Sequence, residues 1–343
     1  MISAQKTINS LLAYLTPRQS RVIESRFGLG KGREIETLAA IGDKINITRE
    51  RVRQIEKSAL IEIKQHISKD VTSTEIVNRL VKYIKSCGGV VRKDALLSCA
   101  KEFVEGIHDN HIAFLLEGSA AFFVHQEDKD FHPFYYADKE SLQTAKVLIN
   151  DWILFLKNKK SDALSGLYKK HLEDFIRTKG IAKTEAEHML SVTKKIHSNP
   201  FGDIGLSDWP EIKPKTTRDR IYLVLKKKKK PLHFEEITKA INEAKLSAQL
   251  ALAPTVHNEL IKDLRFVLVG RGMYGLKEHG YEPGIARDVI HKILKKHGPL
   301  SPEEIIQKVN EQRFFKPNTI IINLQNKSFF ERLPDGNYRV QEA

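Results

Sequence analysis

Arg49, Glu50, Arg53 and Gln54 lie within the run TRERVRQIEKSAL at residues 48–60. An arginine side chain offers two donors to a guanine edge, a glutamine amide matches adenine, and a carboxylate accepts from cytosine. Each good pair of this kind discriminates by roughly 1–3 kcal/mol. Read as helix, the run puts Val52, Ile55, Ala59 and Ile63 on one inner stripe and leaves the four polar side chains outward near its beginning. Arg18, Arg26, Arg51 and Arg53 add cations suited to phosphates, which supply salt-dependent affinity without sequence choice. Two plainer readings stand beside this one: a solvated amphipathic helix, and a basic face that meets an acidic protein surface.

The elements needed to present such a helix are legible ahead of it. Thr16 and Pro17 form the start of a first helix, on which Val22, Ile23 and Phe27 share one face. A second, shorter helix buries Leu38, Ile41 and Ile45. Asn46 suits a left-handed turn, Thr48 caps the third helix, and Glu50 lies in its first turn, where the helix dipole favours an anion. Three helices in this order form a helix-turn-helix, whose last helix meets base edges while the preceding one crosses the backbone.

On these residues the N-terminal segment, about 8–68, resembles region four of the primary bacterial sigma factors. LTPRQSRVIESRFGLG and ETLAAIGDKINITRERVRQIEKSAL carry the likeness. The resemblance implies recognition of a promoter −35 element and contact with the polymerase flap. It places Arg49, Glu50 and Gln54 on base-reading positions, and Arg18, Arg26, Arg51 and Arg53 near the DNA backbone or its neighbouring bases. One later basic position of that family is Ser58 here, so that contact is not carried over. No segment supplies an aromatic-rich melting helix for a −10 element, and a complete sigma factor is not expected.

At 343 residues with a formal charge of +14, the chain is long enough for several domains and favours polyanionic partners. By segment the net charge is +5 over 1–70, −3 over 71–140, +4 over 141–215, +6 over 216–279 and +2 over 280–343. An internal repeat organises the second half. Pro231, Leu232, Glu235, Glu236, Ile237, Asn242 and Glu243 recur at identical spacing as Pro299, Leu300, Glu303, Glu304, Ile305, Asn310 and Glu311. A helical segment precedes each copy, with Ile221, Val224 and Leu225 in one and Val289, Ile290 and Ile293 in the other. A short hairpin closes each, at 266–276 and 329–340. Helices followed by a hairpin give the order of a winged helix. A looser copy runs over 76–138 with an acidic turn, EDKD, in its wing, and 141–212 is read as a divergent fourth copy. KPKTTRD at 213–219 reads as the flexible join.

Residues 217–279 are similar to the HARE-HTH winged helices, which include the folded domain of the RNA polymerase delta subunit, and 285–341 repeat them. Pro231-Leu232, Glu235-Glu236-Ile237 and Gly270-Arg271-Gly272 with Tyr274 and Leu276 carry that likeness. The family fixes the fold better than the ligand, since it spans DNA and protein contacts. Lys226, Lys227, Lys228, Lys229 and Lys230 form a cationic run that reads either as a solvated helix end or as a phosphate track, and Arg271 stands at the wing tip.

Catalytic and metal chemistry find little footing. GLGKGRE at 28–34 lacks the spacing of a phosphate loop, the surroundings of Ser119 are no nucleophile elbow, and His108 with His111 has no third ligand nearby. Trp152, Phe155 and Leu156 read as core, and Cys87 and Cys99 as buried fillers in a reducing compartment. The start carries no secretory pattern, and no stretch approaches about 18 uninterrupted apolar residues, so a cytoplasmic protein without membrane contact is expected. The expectation is a mainly α protein: a helix-turn-helix domain (1–70), a winged-helix-like domain (71–140), a helical connector domain (141–215), and two winged helices (216–279 and 280–343) with small β-hairpin wings. It would be a non-enzymatic, cofactor-free regulator binding double-stranded DNA and, through polymerase contact, acting on transcription. The alternatives are a delta-like polymerase accessory protein and a DNA-binding subunit of a restriction or defence system.

Overall fold

The computed structural model describes residues 1–30, 32, 34–281, 286–312, 315 and 317–341. Lys31 and Arg33 of the 28–34 loop, Ile285 at the start of the second repeat, and the last two residues lie outside that set. The chain divides into two compact units, Met1–Ile196 and His197–Ala343. That division falls ahead of the 213–219 stretch expected to be the join. The reason lies in residues 199–212, which bury Trp209 and Ile212 and tie Asp203 to Lys227, within the second unit.

The first unit opens with β1 (Ile2–Ser3), α1 (Ala4–Leu12), α2 (Pro17–Phe27), α3 (Leu38–Lys44) and α4 (Arg49–Ile67). Local chemistry sets these bounds. Thr16 accepts from the Gln19 amide while the Gln19 side chain accepts from the Thr16 amide, a reciprocal cap with proline in the first turn. Gly28 ends α2 in the left-handed region at φ 62°. Asn46 takes the left-handed turn between α3 and α4 at φ 56°. Val22, Ile41, Val52 and Ile55 form the small core that holds the three helices together.

A winged helix comes next: α5 (Val71–Ser86), β2 (Val90–Arg92), α6 (Lys93–Lys101), β3 (Val104–Glu105), α7 (Asp109–Ser119), β4 (Phe123–His125) and β5 (Phe134–Tyr136). Its sheet runs in the order β2-β5-β4, antiparallel, with Val91 opposite Tyr135 and Val124 opposite Tyr135. One continuous core spans this module and the helices before it, from Ala4, Leu11 and Ile23 through Ile63 and Ile67 to Leu80, Phe114 and Tyr135. The N-terminus joins it too, since β1 pairs in parallel with β3.

Beyond it lie α8 (Lys139–Asn158), α9 (Lys160–Asp162), a π-type turn at Ala163–Leu167, α10 (Tyr168–Lys179) and α11 (Lys183–Ser191), and the unit runs out into β6 (Ile196–Ser198). No strand interrupts Lys139–Ser191, so this stretch lacks the helix–strand–helix order of a winged helix. Trp152 is fully buried, donates to the Tyr168 hydroxyl at 3.2 Å and packs against Phe155 and Phe175. Cys87 is buried as expected, whereas Cys99 is only half-buried.

The second unit holds β7 (Ile204–Leu206), α12 (Thr217–Lys228), β8 (Leu232–His233), α13 (Phe234–Glu243), α14 (Ala253–Lys262), β9 (Phe266–Gly270) and β10 (Met273–Leu276). After them come α15 (Ala286–His297), α16 (Pro302–Gln312), α17 (Pro317–Leu324), β11 (Phe330–Arg332) and β12 (Tyr338–Val340). The sequence repeat is a structural repeat. Leu232 pairs opposite Tyr274 in the sheet β8-β10-β9, and Leu300 bridges Tyr338 at the equivalent place. The recurring Glu-Glu pair has a physical cause: Glu236 accepts from the His233 amide at 3.0 Å and Glu304 from the Ser301 amide at 2.9 Å, capping α13 and α16 alike. Each copy encloses its own core, around Ile237 and Val256 in one and Ile305 and Ile320 in the other.

Candidate nucleic-acid interface

The strongest candidate site is the outward N-terminal edge of α4. Thr48 fixes where the helix begins, its hydroxyl accepting from the Arg51 amide at 3.2 Å. Val52 and Ile55 are buried beneath, so Arg49, Glu50, Arg51, Arg53 and Gln54 are all exposed on the other side. Gly42 sets the approach of α3: a β-carbon there would stand 2.6 Å from the Ile47 carbonyl oxygen, closer than packing allows. Sequence reasoning passed over that glycine. Its signal was available as a small residue in the last turn before a tight helix–helix connection.

The reading edge is held in order by its own members. Arg53 donates two hydrogen bonds to Glu50, Nη2 to Oε1 at 2.6 Å and Nε to Oε2 at 2.9 Å, and Arg51 donates to Gln54 Oε1 at 3.0 Å. The Arg53 hydrogen bond holds the Glu50 carboxyl below its ordinary range, so it is an ionised acceptor at neutral pH. Gln54 keeps its amide donors, and Arg49 extends from the first helical position.

The other predicted cations divide. Arg18 is exposed on the first turn of α2. Arg26 is half-buried, donating from Nε to Glu56 Oε1 at 2.9 Å and from Nη1 to the Glu36 carbonyl at 3.2 Å, so it ties α2 to α4 and to the stretch before α3. Ser58 lies along α4 beside Gln19, whose Nε2 reaches it at 3.5 Å and donates to Glu62 at 2.8 Å. Gln19 thus both caps α2 and grips α4, a double role that the sequence reading did not assign.

In the second unit the lysine run is not one patch. Lys226 bonds the Tyr222 hydroxyl at 3.0 Å and Lys227 pairs with Asp203 at 2.5 Å, while Lys228, Lys229 and Lys230 are exposed. Arg271 is exposed in the turn between β9 and β10. The register places Leu232 opposite Tyr274 and His233 opposite Met273, so the chain enters β8 from the Leu276 end of β10. Arg271 therefore stands about five residues, or about 17 Å, further along the sheet from the lysines. His108 caps α7 and His111 is buried within it, their rings 5.5 Å apart, and no group of three or more metal-ligating side chains exists among the described residues. No helix among those residues is long and apolar enough to cross a membrane.

Comparison with known proteins identifies the same two segments. Residues 11–65 match the family model Sigma-70, region 4, and residues 215–279 match the HARE-HTH family model, a restriction endonuclease HTH domain. The N-terminal stretch is 45% identical over 58 residues to the RNA polymerase principal sigma factor HrdD of Streptomyces coelicolor, covering 17% of each chain. It is 51% identical over 53 residues to the RNA polymerase sigma factor SigA4 of Synechococcus elongatus, covering 16% of this chain and 17% of that protein. It is 52% identical over 50 residues to the RNA polymerase sigma factor SigA of Clostridium acetobutylicum, covering 15% of this chain and 13% of that one. The likeness to these sigma factors thus spans about a sixth of their length or less, and is confined to the helix-turn-helix.

Proposed function

We propose that this protein is a sequence-specific DNA-binding regulator of transcription, or a sigma-like factor, that recognises a −35-like promoter element through α4 and contacts RNA polymerase. The observation that carries this reading is the exposed, self-ordered edge of Arg49, Glu50, Arg53 and Gln54 on a helix whose opposite stripe is buried. Arg49, Glu50 and Gln54 read bases; Arg18, Arg51 and Arg53 hold phosphates, with Arg26 reaching them only if it leaves Glu56. The likeness of this segment to sigma factors supports both the DNA target and the polymerase partner. Selecting bound sequences from a random duplex pool, with wild type and the Arg49→Ala/Gln54→Ala variant, tests it. A single enriched motif that the variant no longer enriches is the expected result; the same motif from both proteins would remove α4 from the reading role.

A second reading applies to the winged-helix module from α12 to β10. The outward side of α14 and its flanks exposes Leu250, Leu252, Ile261 and Leu264, with Lys262 as the one lysine or arginine of that helix. Phosphate backbones reward cations, whereas a rimmed aliphatic patch marks a protein contact. This favours a polymerase-docking, delta-like role for the second unit alongside DNA reading by the first. Binding of core polymerase to the full chain, and its loss on Ile261→Asp/Leu264→Asp, checks it.

A further inference from the structure

We infer that the first winged helix, α5 to β5, lays nothing on DNA and is the internal seat that fixes the reading helix α4. The inference rests on base reading by α4. In a helix-turn-helix the helix after the turn enters the groove, and a neighbouring hairpin helps only where its tip is open and cationic. Here both parts are covered by the chain itself.

The helix in that position is α7, and it is turned inward. Ile112, Phe114, Leu115, Leu116 and Gly118 are all buried. Phe114 meets Phe27 of α2 edge to face with ring centres 5.5 Å apart, and Asn110 donates to the Gly28 carbonyl at 3.1 Å. Gly118 lies directly on α4: a β-carbon there would stand 2.8 Å from Ile63 Cγ2 and 3.1 Å from Ile67 Cδ1. The close approach of the two helices therefore depends on the missing side chain. Gly118 is a positioning residue, acting on the bases only through α4.

The hairpin is covered independently. Its connection carries Glu127, Asp128, Lys129 and Asp130, and the segment after α11 straps it down. The His132 amide donates to the Val192 carbonyl and the Lys194 amide to the Asp130 carbonyl, both at 2.8 Å. Lys194 also pairs with Glu127 at 2.6 Å and Lys195 with Asp130 at 3.3 Å. The cations nearest this tip are thus spent on its carboxylates, whereas the turn between β9 and β10 leaves Arg271 outward.

The test uses the full chain and the duplex motif that it selects from a random pool, below the unfolding temperature. Gly118→Val should cut the ratio of matched to mismatched binding by about tenfold, the equivalent of one misread base contact. Gly118→Ala should do so more weakly, and adding Ile63→Ala, which removes the clashing methyl, should restore most of the ratio. Lys129→Glu should change affinity and salt slope by less than about twofold, because a tip that touches no phosphate contributes no counterion release. A drop in both on Lys129→Glu, or an unchanged ratio in a folded Gly118→Val, overturns the inference. If Arg49→Ala has no effect, it is base reading by α4 that fails. The seat is then still judged by amide exchange, which should accelerate from Ala59 to Ile67 in Gly118→Ala and return with Ile63→Ala; no acceleration overturns the seat.

Discussion

Glu50 has two tasks on one carboxylate: it orients Arg53 and it offers the acceptor that a cytosine amine needs. Its pKa is lowered by the Arg53 hydrogen bond, so the sign of its pH dependence is set. A carboxyl depressed in the folded state contributes fully above its ordinary value near 4.5 and is lost only as pH falls through the lower folded value. Preference for cytosine at the Glu50 position should therefore persist unchanged from pH 7 to 5, measured by competition between matched and mismatched duplexes. Glu50→Gln should loosen that preference at every pH, since the amide keeps an acceptor but adds donors that face the cytosine amine. Arg49→Ala should cost about 1–3 kcal/mol at one base position, whereas Arg18→Ala should weaken all sequences alike and lower the salt slope by about 0.9. Arg26 differs from both. Its guanidinium meets Glu56, whose side chain is only 14% exposed, so Arg26→Ala should also destabilise the fold by about 1–3 kcal/mol, seen as a lower melting temperature without DNA.

Elements carry their own strain and their own legibility. Lys229 ends α12 in the left-handed region at φ 53°, a conformation that costs a side chain roughly 1–2 kcal/mol and glycine little. Lys229→Gly should raise the stability of the second unit by about 0.5–1 kcal/mol, the gain being trimmed by the greater freedom of glycine in the unfolded chain; denaturant titration measures it. Thr48→Ala should cost α4 about 1 kcal/mol by leaving the Arg51 amide uncapped. The same kinds of local chemistry made much of the fold readable from sequence. Thr16 with Gln19, Asn46, and the paired glutamates of α13 and α16 act within a few residues of themselves, so spacing alone exposes them. The outward edge of α4 was readable for the same reason, because a helix with Val52, Ile55, Ala59 and Ile63 inside has one place for its arginines. What spacing could not reveal depends on distant chain. Lys226 and Lys227 look like members of an open cationic run, yet Tyr222, Glu211 and Asp203 engage them. The inward turn of α7 left only a faint trace, in apolar residues at Ile112, Phe114, Leu115 and Leu116 that exceed one helix face.

At the scale of the whole molecule, the helix-turn-helix and the first winged helix share one core, so they should not come apart as separate domains. A fragment of residues 1–70 would expose Phe27, Ile63 and Ile67, which are buried in the intact unit. It should therefore aggregate or remain unfolded by circular dichroism, while residues 1–196 should melt cooperatively. The second unit raises a different question, because cations and aliphatic surface are both present on it. Lys228, Lys229, Lys230 and Arg271 are exposed, but they stand on two ends of one small sheet, and the helix between the turn and the wing, α14, presents mainly leucine and isoleucine. Such a module can gather phosphates without distinguishing bases. Tethering it to a specific reader raises the local concentration of those cations at the duplex. Deleting 197–343 should then weaken binding at low salt and lower the salt slope by about 1–3, one to three phosphates' worth, while leaving the ratio of matched to mismatched binding unchanged. A deletion that lowers that ratio as well would mean that α14 or α17 reads bases, and the division of labour between the two units would have to be redrawn.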